Sequence, residues 1–315
     1  MRVINSKIDF FFIEFPIIFP IIYATALYFF NNYETFIILF TILVLAEPHF
    51  GATWPFMLDK KNQETIFNKK TEFIFLPIMI LLFSIFSFFY FTKEFLLIFF
   101  VANVYHVTRQ SVGITSLYNS NLNERNLHIN LIYFYNIILF LIGLFRFYLP
   151  IISNENLLLV NFILILMFFL IIIFCYLKFK NYKSLFTLTT GLIIFYPIAF
   201  VNNPVHAIIM GVTMHYSQYL VLTFIVGLRR QQEIISDLKK KFLTSYLIKF
   251  FTIIFIYSIL MTFFSTFGKS DNDLYKQLII IPILFQLLHF YFDGLLWKFS
   301  IKKNRDNTLK YILNI

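Results

Sequence analysis

Residues 162–179 read FILILMFFLIIIFCYLKF, eighteen positions in which Lys178 is the only charge. Crossing the hydrocarbon core of a bilayer takes about 20 largely apolar residues in a helix. A surface helix of a soluble domain keeps one polar face, and this stretch is apolar all the way round. It assigns the chain to the membrane, and the composition agrees. Of 315 residues, 59% are hydrophobic and 13% charged, with a mean hydropathy of +0.77. An ordinary soluble domain has about 25% charged residues. The 46 Phe residues, with heavy use of Ile, Asn and Lys, are read as the imprint of AT-rich coding and carry no functional weight.

Ten stretches of this kind are legible, at roughly 8–30, 35–57, 71–91, 94–118, 129–149, 155–178, 184–201, 203–228, 242–265 and 273–298. The expected fold is all-α: a polytopic transmembrane bundle of about ten spanning helices, forming a single domain over 1–315. The first stretch is too long for a signal-peptide core and has no small-residue cleavage site after it, so it is expected to remain as a helix. The seventh is short and is read as tilted or re-entrant. Asn202-Asn203-Pro204 is a credible start for the eighth, with an Asn cap and Pro in the first turn.

Charge tests the count. With ten crossings, the N-terminus, the loops after even-numbered helices and the C-terminus share one side. That side carries twenty Lys and Arg residues, and the other only Lys93, Arg146, Lys269 and Lys276. Basic residues collect on the cytoplasmic side, so both termini are expected there, in a bacterial cytoplasmic membrane. The net charge of +10 sits at helix ends facing anionic lipid headgroups, which removes nucleic acid as a partner. Only Arg109 and Lys249 fall inside spans, and Lys249 is close enough to an end to snorkel. A single cysteine, Cys175, excludes intramolecular disulfides and Cys-based zinc or Fe–S sites.

Five of the six histidines lie inside spans: His49 in AEPHFGATW, His106 in VYHVTRQSVG, His206 and His215 in NPVHAIIMGVTMHYSQY, and His289 in QLLHFYFDGLLW. Ionisable groups are costly in hydrocarbon and usually line a bundle interior or cavity. The four helices that hold them run in the same direction. At about 1.5 Å per residue, His49, His106, His215 and His289 lie on the order of 18–24 Å from their outer ends. Four imidazoles thus share a depth.

Each has polar company at helical spacing. His106 has Arg109 and Gln110 at i+3 and i+4, His215 has Gln218 and Tyr219, and His289 has Gln286 before it and Asp293 after. Such groups receive the second N–H of a metal-ligating imidazole. Glu47 and His49 are two apart, wrong for one face, unless Pro48 and Gly51 break the helix locally. His206 is half a turn out of phase with His215 and about 13 Å along the axis. It joins the others only if Gly211 marks a bend or the cavity is tall. His128, at a membrane edge, is read as an ordinary surface residue.

For one membrane histidine, the bland reading is an interhelical hydrogen bond. Four at one depth with amide and carboxylate neighbours favour a metal, with His49, His106, His206, His215 and His289 as candidate ligands. Neutral imidazoles and carboxylates without thiolate suit iron, zinc or copper. A membrane cavity implies a lipophilic substrate. Oxidising it with O₂ needs a redox metal, which favours iron, whereas zinc hydrolysis needs only metal-bound water.

The segments PHFG at 48–51, HVTRQSVG at 106–113, 206–215 and HFYFD at 289–293 resemble the Brp/Blh family of membrane β-carotene 15,15'-dioxygenases. That resemblance implies iron ligation by His49, His106, His206 and His215, with His289 and Asp293 nearby, and cleavage of β-carotene to two retinal molecules. The family's later histidines are closely spaced, whereas His206 and His215 are nine apart. The expected function is an iron-dependent oxygenase acting on a lipophilic substrate. Asp293 and Glu47 would be carboxylate ligands or acceptors, and Arg109, Gln110 and Gln218 would orient ligands or an oxygen species. The alternatives are a transporter using His, Asp293, Glu47 and Arg109 as a relay, and a structural subunit in which the histidines pack helices. The absence of an internal repeat counts against the transporter. The oligomeric state stays open.

Overall fold

The computed structural model describes residues 3–119, 121–234, 239–268 and 273–313. Among them all regular structure is helical. Eight helices are long and apolar enough to cross a membrane, and a bent pair makes up to nine. We label the bent pair α1 (Ser6–Glu14) and α2 (Ile18–Phe29), followed by α3 (Asn31–Met57), α4 (Thr71–Tyr90), α5 (Thr92–Tyr118), α6 (Leu122–Tyr148) and α7 (Asn156–Phe179). The shorter α8 (Tyr182–Ile193) precedes α9 (Pro204–Gln231), α10 (Leu247–Phe267) and α11 (Gln277–Leu296). These match the expected stretches to within a few residues, apart from earlier starts at α3 and α6 and the seventh stretch, expected to 201, whose helix ends at Ile193; the helix that contains α10 runs from Lys239 to Phe267.

The breaks have local causes. Between α1 and α2 the chain bends by 58° at Phe15-Pro16. Proline lacks the N–H for a helical bond and pushes the residue before it out of the helical region, and Phe15 sits at φ −144°, ψ 65°. In the seventh stretch, Pro197 follows α8 and allows only a short 3₁₀ turn, Tyr196–Ala199. As expected, α9 starts at a proline with an asparagine cap. The Asn203 side chain accepts the Val205 N–H at 2.9 Å.

The chain forms two compact units, one of Met1–Ile38 with Asn103–Gln218 and one of Leu39–Ala102 with Tyr219–Ile315. It passes between them inside α3, α5 and α9.

In the first unit, the stretch 181–202 runs beside α6 for that helix's whole length. At the start of α6, the buried Glu124 accepts from Ser184 and, at 3.3 Å, from Asn181. In the middle, Asn136 donates to the Gly191 carbonyl at 2.9 Å. At the far end, Arg146 donates to the carbonyls of Ile198 and Val201, both at 2.7 Å, and to the Asn202 side chain at 2.6 Å. The α8 helix is too short to span alone, but the stretch containing it has the reach of a spanning helix.

Gly211 of α9 packs against the break after α8, where a Cβ would stand 1.9 Å from the Ile194 carbonyl oxygen. The helix is continuous through Gly211. Close approach, and not the bend considered from sequence, is what this glycine permits. His128 is also corrected: its side chain is fully buried, packed on Phe179 at 6.0 Å one turn after the buried Glu124. The sequence places His128 at the membrane edge, one residue before the span expected at 129–149, whereas α6 starts at Leu122 and carries it inside the helix.

In the second unit, Gly51 of α3 meets α10 so closely that a Cβ would lie 2.9 Å from the Tyr257 ring. The C-terminal turns at 302–313 dock on the end of α9. Arg230, fully buried, lies over the Phe56 ring at 4.7 Å and donates to the Asn307 carbonyl at 2.8 Å and to Thr308 at 3.1 Å. Arg229 holds the carbonyls of Tyr311 and Ile312 at 2.6 and 3.0 Å. Burial separates the spanning helices: 72% of the most apolar window of α9 is buried against 6% for α7, so α9 is interior and α7 faces lipid.

Candidate metal centre

Each unit holds a buried pair of histidines. In the first, His106 of α5 and His215 of α9 face each other edge to face, with ring centroids 5.2 Å apart. In the second, His49 of α3 and His289 of α11 have centroids 4.5 Å apart and are both fully buried. Two imidazoles from separate helices in contact are unusual as packing alone, since each carries nitrogens that need partners in a low-dielectric interior.

The second pair sits in a hydrogen-bonded chain. Tyr219 donates to Asp293 Oδ1 at 2.7 Å. Thr53 Oγ1 lies 2.9 Å from the Tyr219 hydroxyl and 2.6 Å from His289 Nδ1. With Asp293 ionised its oxygens only accept, so the protons along the chain have one consistent order. Tyr219 gives its proton to Asp293, Thr53 gives its proton to Tyr219, and His289 gives Nδ1–H to Thr53. With Asp293 ionised, then, the imidazole is the Nδ1–H tautomer and Nε2 is its other nitrogen. That Nε2 lies 3.7 Å from Asp293 Oδ2. Two electron-pair donors do not bond each other, and the spacing is too long for a hydrogen bond in any case. Nitrogen and oxygen ligands sharing one tetrahedral cation, each about 2.0–2.2 Å from it, stand about 3.4 Å apart. His289 and Asp293 are set a few tenths of an ångström wider than that. His49 packs beside this chain, with its ring 4.5 Å from that of Tyr219.

Local chain chemistry delivers His49. Residues Ile42–Ala46 form a π-helical turn, closed by the Glu47 N–H on the Ile42 carbonyl. Pro48 follows, with no N–H and a ring that crowds the carbonyl four residues back, and a wide turn relieves that crowding. Beyond it Glu47 and His49 are both buried and both reach α11. The Glu47 carboxylate is bonded by Gln286, and His49 meets His289 one turn further on.

The other expected site residues distribute as follows. Gln218 is buried, and its amide donates to the Ile13 carbonyl at 2.7 Å, anchoring α9 to α1. Arg109 and Gln110 are half-buried on the turn after His106. His206 is buried, but with other company: its Nδ1 is 2.7 Å from the Tyr23 hydroxyl and its Nε2 3.6 Å from the exposed Glu34 carboxylate. It lies nine residues from His215 on a continuous helix, about 13 Å along the axis.

Two functional candidates escaped the sequence reading. Thr53 lies four residues after His49, an offset that marks a shared helical face. Tyr219 was seen only as a neighbour of His215, whereas its hydroxyl belongs to Asp293 and Thr53.

The second unit thus brings imidazole and carboxylate donors together without thiolate, donor types that iron, zinc and copper accept. No protein-family model, curated protein or solved structure matches the chain.

Proposed function

We propose that this chain is a membrane-embedded metal enzyme, an iron-dependent oxygenase acting on a lipophilic substrate. The carrying observation is the buried hydrogen-bonded chain His289–Thr53–Tyr219–Asp293, with His289 Nε2 and Asp293 Oδ2 3.7 Å apart. His289 and Asp293 would be ligands of the ion in the second unit; His49, packed on His289, is a further imidazole there, and His106 with His215 offers a pair in the first. Zinc and copper suit the same donors less well if the reaction consumes O₂. Bound iron would supply activation of O₂. The residues supply the rest: Thr53 and Tyr219 keep His289 in one tautomer, and the apolar helices exclude water. By the resemblance to the Brp/Blh family, the substrate expected first is β-carotene. Addition of O₂ across its central double bond, with cleavage of that bond, yields two retinal aldehydes and needs no external reductant.

The topology that accompanies this reading is ten crossings with both termini cytoplasmic. It is supported by the twenty-to-four asymmetry of basic residues and by the contacts of 181–202 along all of α6.

The test is elemental analysis of detergent-purified protein washed of loose metal. Stoichiometric iron, lost in His289→Ala and Asp293→Ala, is expected. Protein holding no stoichiometric iron, zinc or copper overturns the reading. Expression in a β-carotene-producing host, with loss of orange colour, tests the substrate.

The same hydrogen-bonded chain favours one second reading, a proton relay in a transporter. Under it, proteoliposomes show substrate flux without metal, and Tyr219→Phe stops the flux.

A further inference from the structure

The second unit contains a cavity of about 730 Å³ among α3, α9 and α10. Its inner wall includes Pro48 and Leu220, the chain neighbours of His49 and Tyr219. Phe250 and Ile254 also line it, and both pack on Tyr219 and Ala52 in one buried cluster. A single layer of side chains thus separates the cavity from the Tyr219–Asp293 hydrogen bond. At the other end, Val44 and Phe255 are exposed on lipid-length helices, so the mouth opens toward the bilayer.

Among the described residues the lining contains no ionisable side chain. Its polar atoms are the Thr252 and Ser258 hydroxyls, and Ser258 already donates to the Ile254 carbonyl at 2.7 Å. A carboxylate, phosphate or ammonium group here would lose its hydration and meet no counter-charge. The volume falls in the range of sites that enclose a ligand of a few hundred daltons. The π-helical turn Ile42–Ala46 contributes Leu43 and Val44 to the wall, so the distortion that presents His49 also shapes the cavity.

We propose that this cavity binds one uncharged single-chain lipid, drawn sideways from the bilayer and held with one end against the Phe250–Ile254 layer beside Tyr219. That this lipid is the molecule transformed rests on the oxygenase reading. Its binding does not.

The test uses the full chain in nanodiscs, photolabelled with a hexadecanol carrying a chain diazirine, with adducts mapped by mass spectrometry. The expected adducts concentrate on 220–224 and 250–258 and fall at least tenfold with excess hexadecanol, while palmitate and phosphatidylcholine compete poorly. Val221→Trp, which fills the cavity, is expected to cut those adducts about tenfold. Val44→Trp at the mouth serves if the first variant fails to fold, and Leu166→Trp on lipid-facing α7 is expected to leave them unchanged. Adducts spread over α7 and every other lipid-facing helix in proportion to exposure, or equal competition by palmitate, would overturn the proposal. Focused labelling of protein that holds no metal keeps the lipid site and removes the oxygenase. Stoichiometric iron with unfocused labelling does the reverse.

Discussion

Thr53 is the hinge of the site's chemistry, because one hydroxyl serves two partners. Its Oγ1 lies 2.6 Å from His289 Nδ1 and 2.9 Å from the Tyr219 hydroxyl, and His289 Nε2 lies beside Asp293. Thr53→Val keeps the shape and removes both bonds. Metal affinity in chelator competition is expected to fall ~10–100-fold, the usual cost of losing a partner that orients a ligand. Thr53→Ser restores the hydroxyl and is expected to restore affinity. A purely structural threonine would leave metal content unchanged in both variants. Asp293 was legible as a neighbour of His289 because i and i+4 positions share a helix face, whereas Gln286, expected beside His289, bonds Glu47. Tyr219 was assigned to His215 for the same reason, and wrongly for its hydroxyl. Helical spacing names the neighbours on one helix, but a long side chain reaches to whatever the next helix presents.

At the scale of elements, small residues decide how near helices come. Gly211 lies against the Ile194 carbonyl, a backbone atom that cannot swing away. Gly211→Ala is expected to lower the thermal unfolding midpoint in detergent and cost at least the ~1–3 kcal/mol typical of overpacking. Gly113 is the control, with no atom within 4 Å of its would-be Cβ. Gly113→Ala is expected to be neutral or stabilising, since alanine favours the helix by up to ~1 kcal/mol. The C-terminal turns depend on Arg230, whose guanidinium is buried between Phe56, Asn307 and Thr308. Arg230→Ala is expected to release residues 302–313, seen as faster limited proteolysis there without new cuts in the spanning helices. Hydropathy found the helices, and Pro16, Pro197 and Asn203-Pro204 set their breaks and starts. The π turn before Pro48 was not legible, because propensity does not distinguish a wide turn from an α turn.

For the whole molecule, the seventh stretch decides the topology. Its helix is short, but its bonds to Glu124, Asn136 and Arg146 follow α6 from start to end. In a Cys175→Ala background, single cysteines at Asn181 and Asn202 are expected to be labelled from opposite sides by a membrane-impermeant maleimide. Labelling of both from one side would make the stretch re-entrant and reverse the expected position of one terminus. The lipid-facing and interior helices were not separable from sequence, since α7 and α9 both read as spans, while only α9 is buried around most of its circumference.

The sequence by itself determined that this is a helical membrane protein, where most of its helices lie, and that five of its six histidines fall on four of them. Hydrophobic length and the cost of buried ionisable groups are local properties, readable along one strand of text. The tertiary structure decided which imidazoles pair: His49 with His289, His106 with His215, and His206 with Tyr23 and Glu34. It also recruited Thr53 and Tyr219 to the pair of His49 and His289. Those outcomes depend on which helix faces approach, and helix packing in lipid is set by shape and small-residue contacts between segments far apart in the chain.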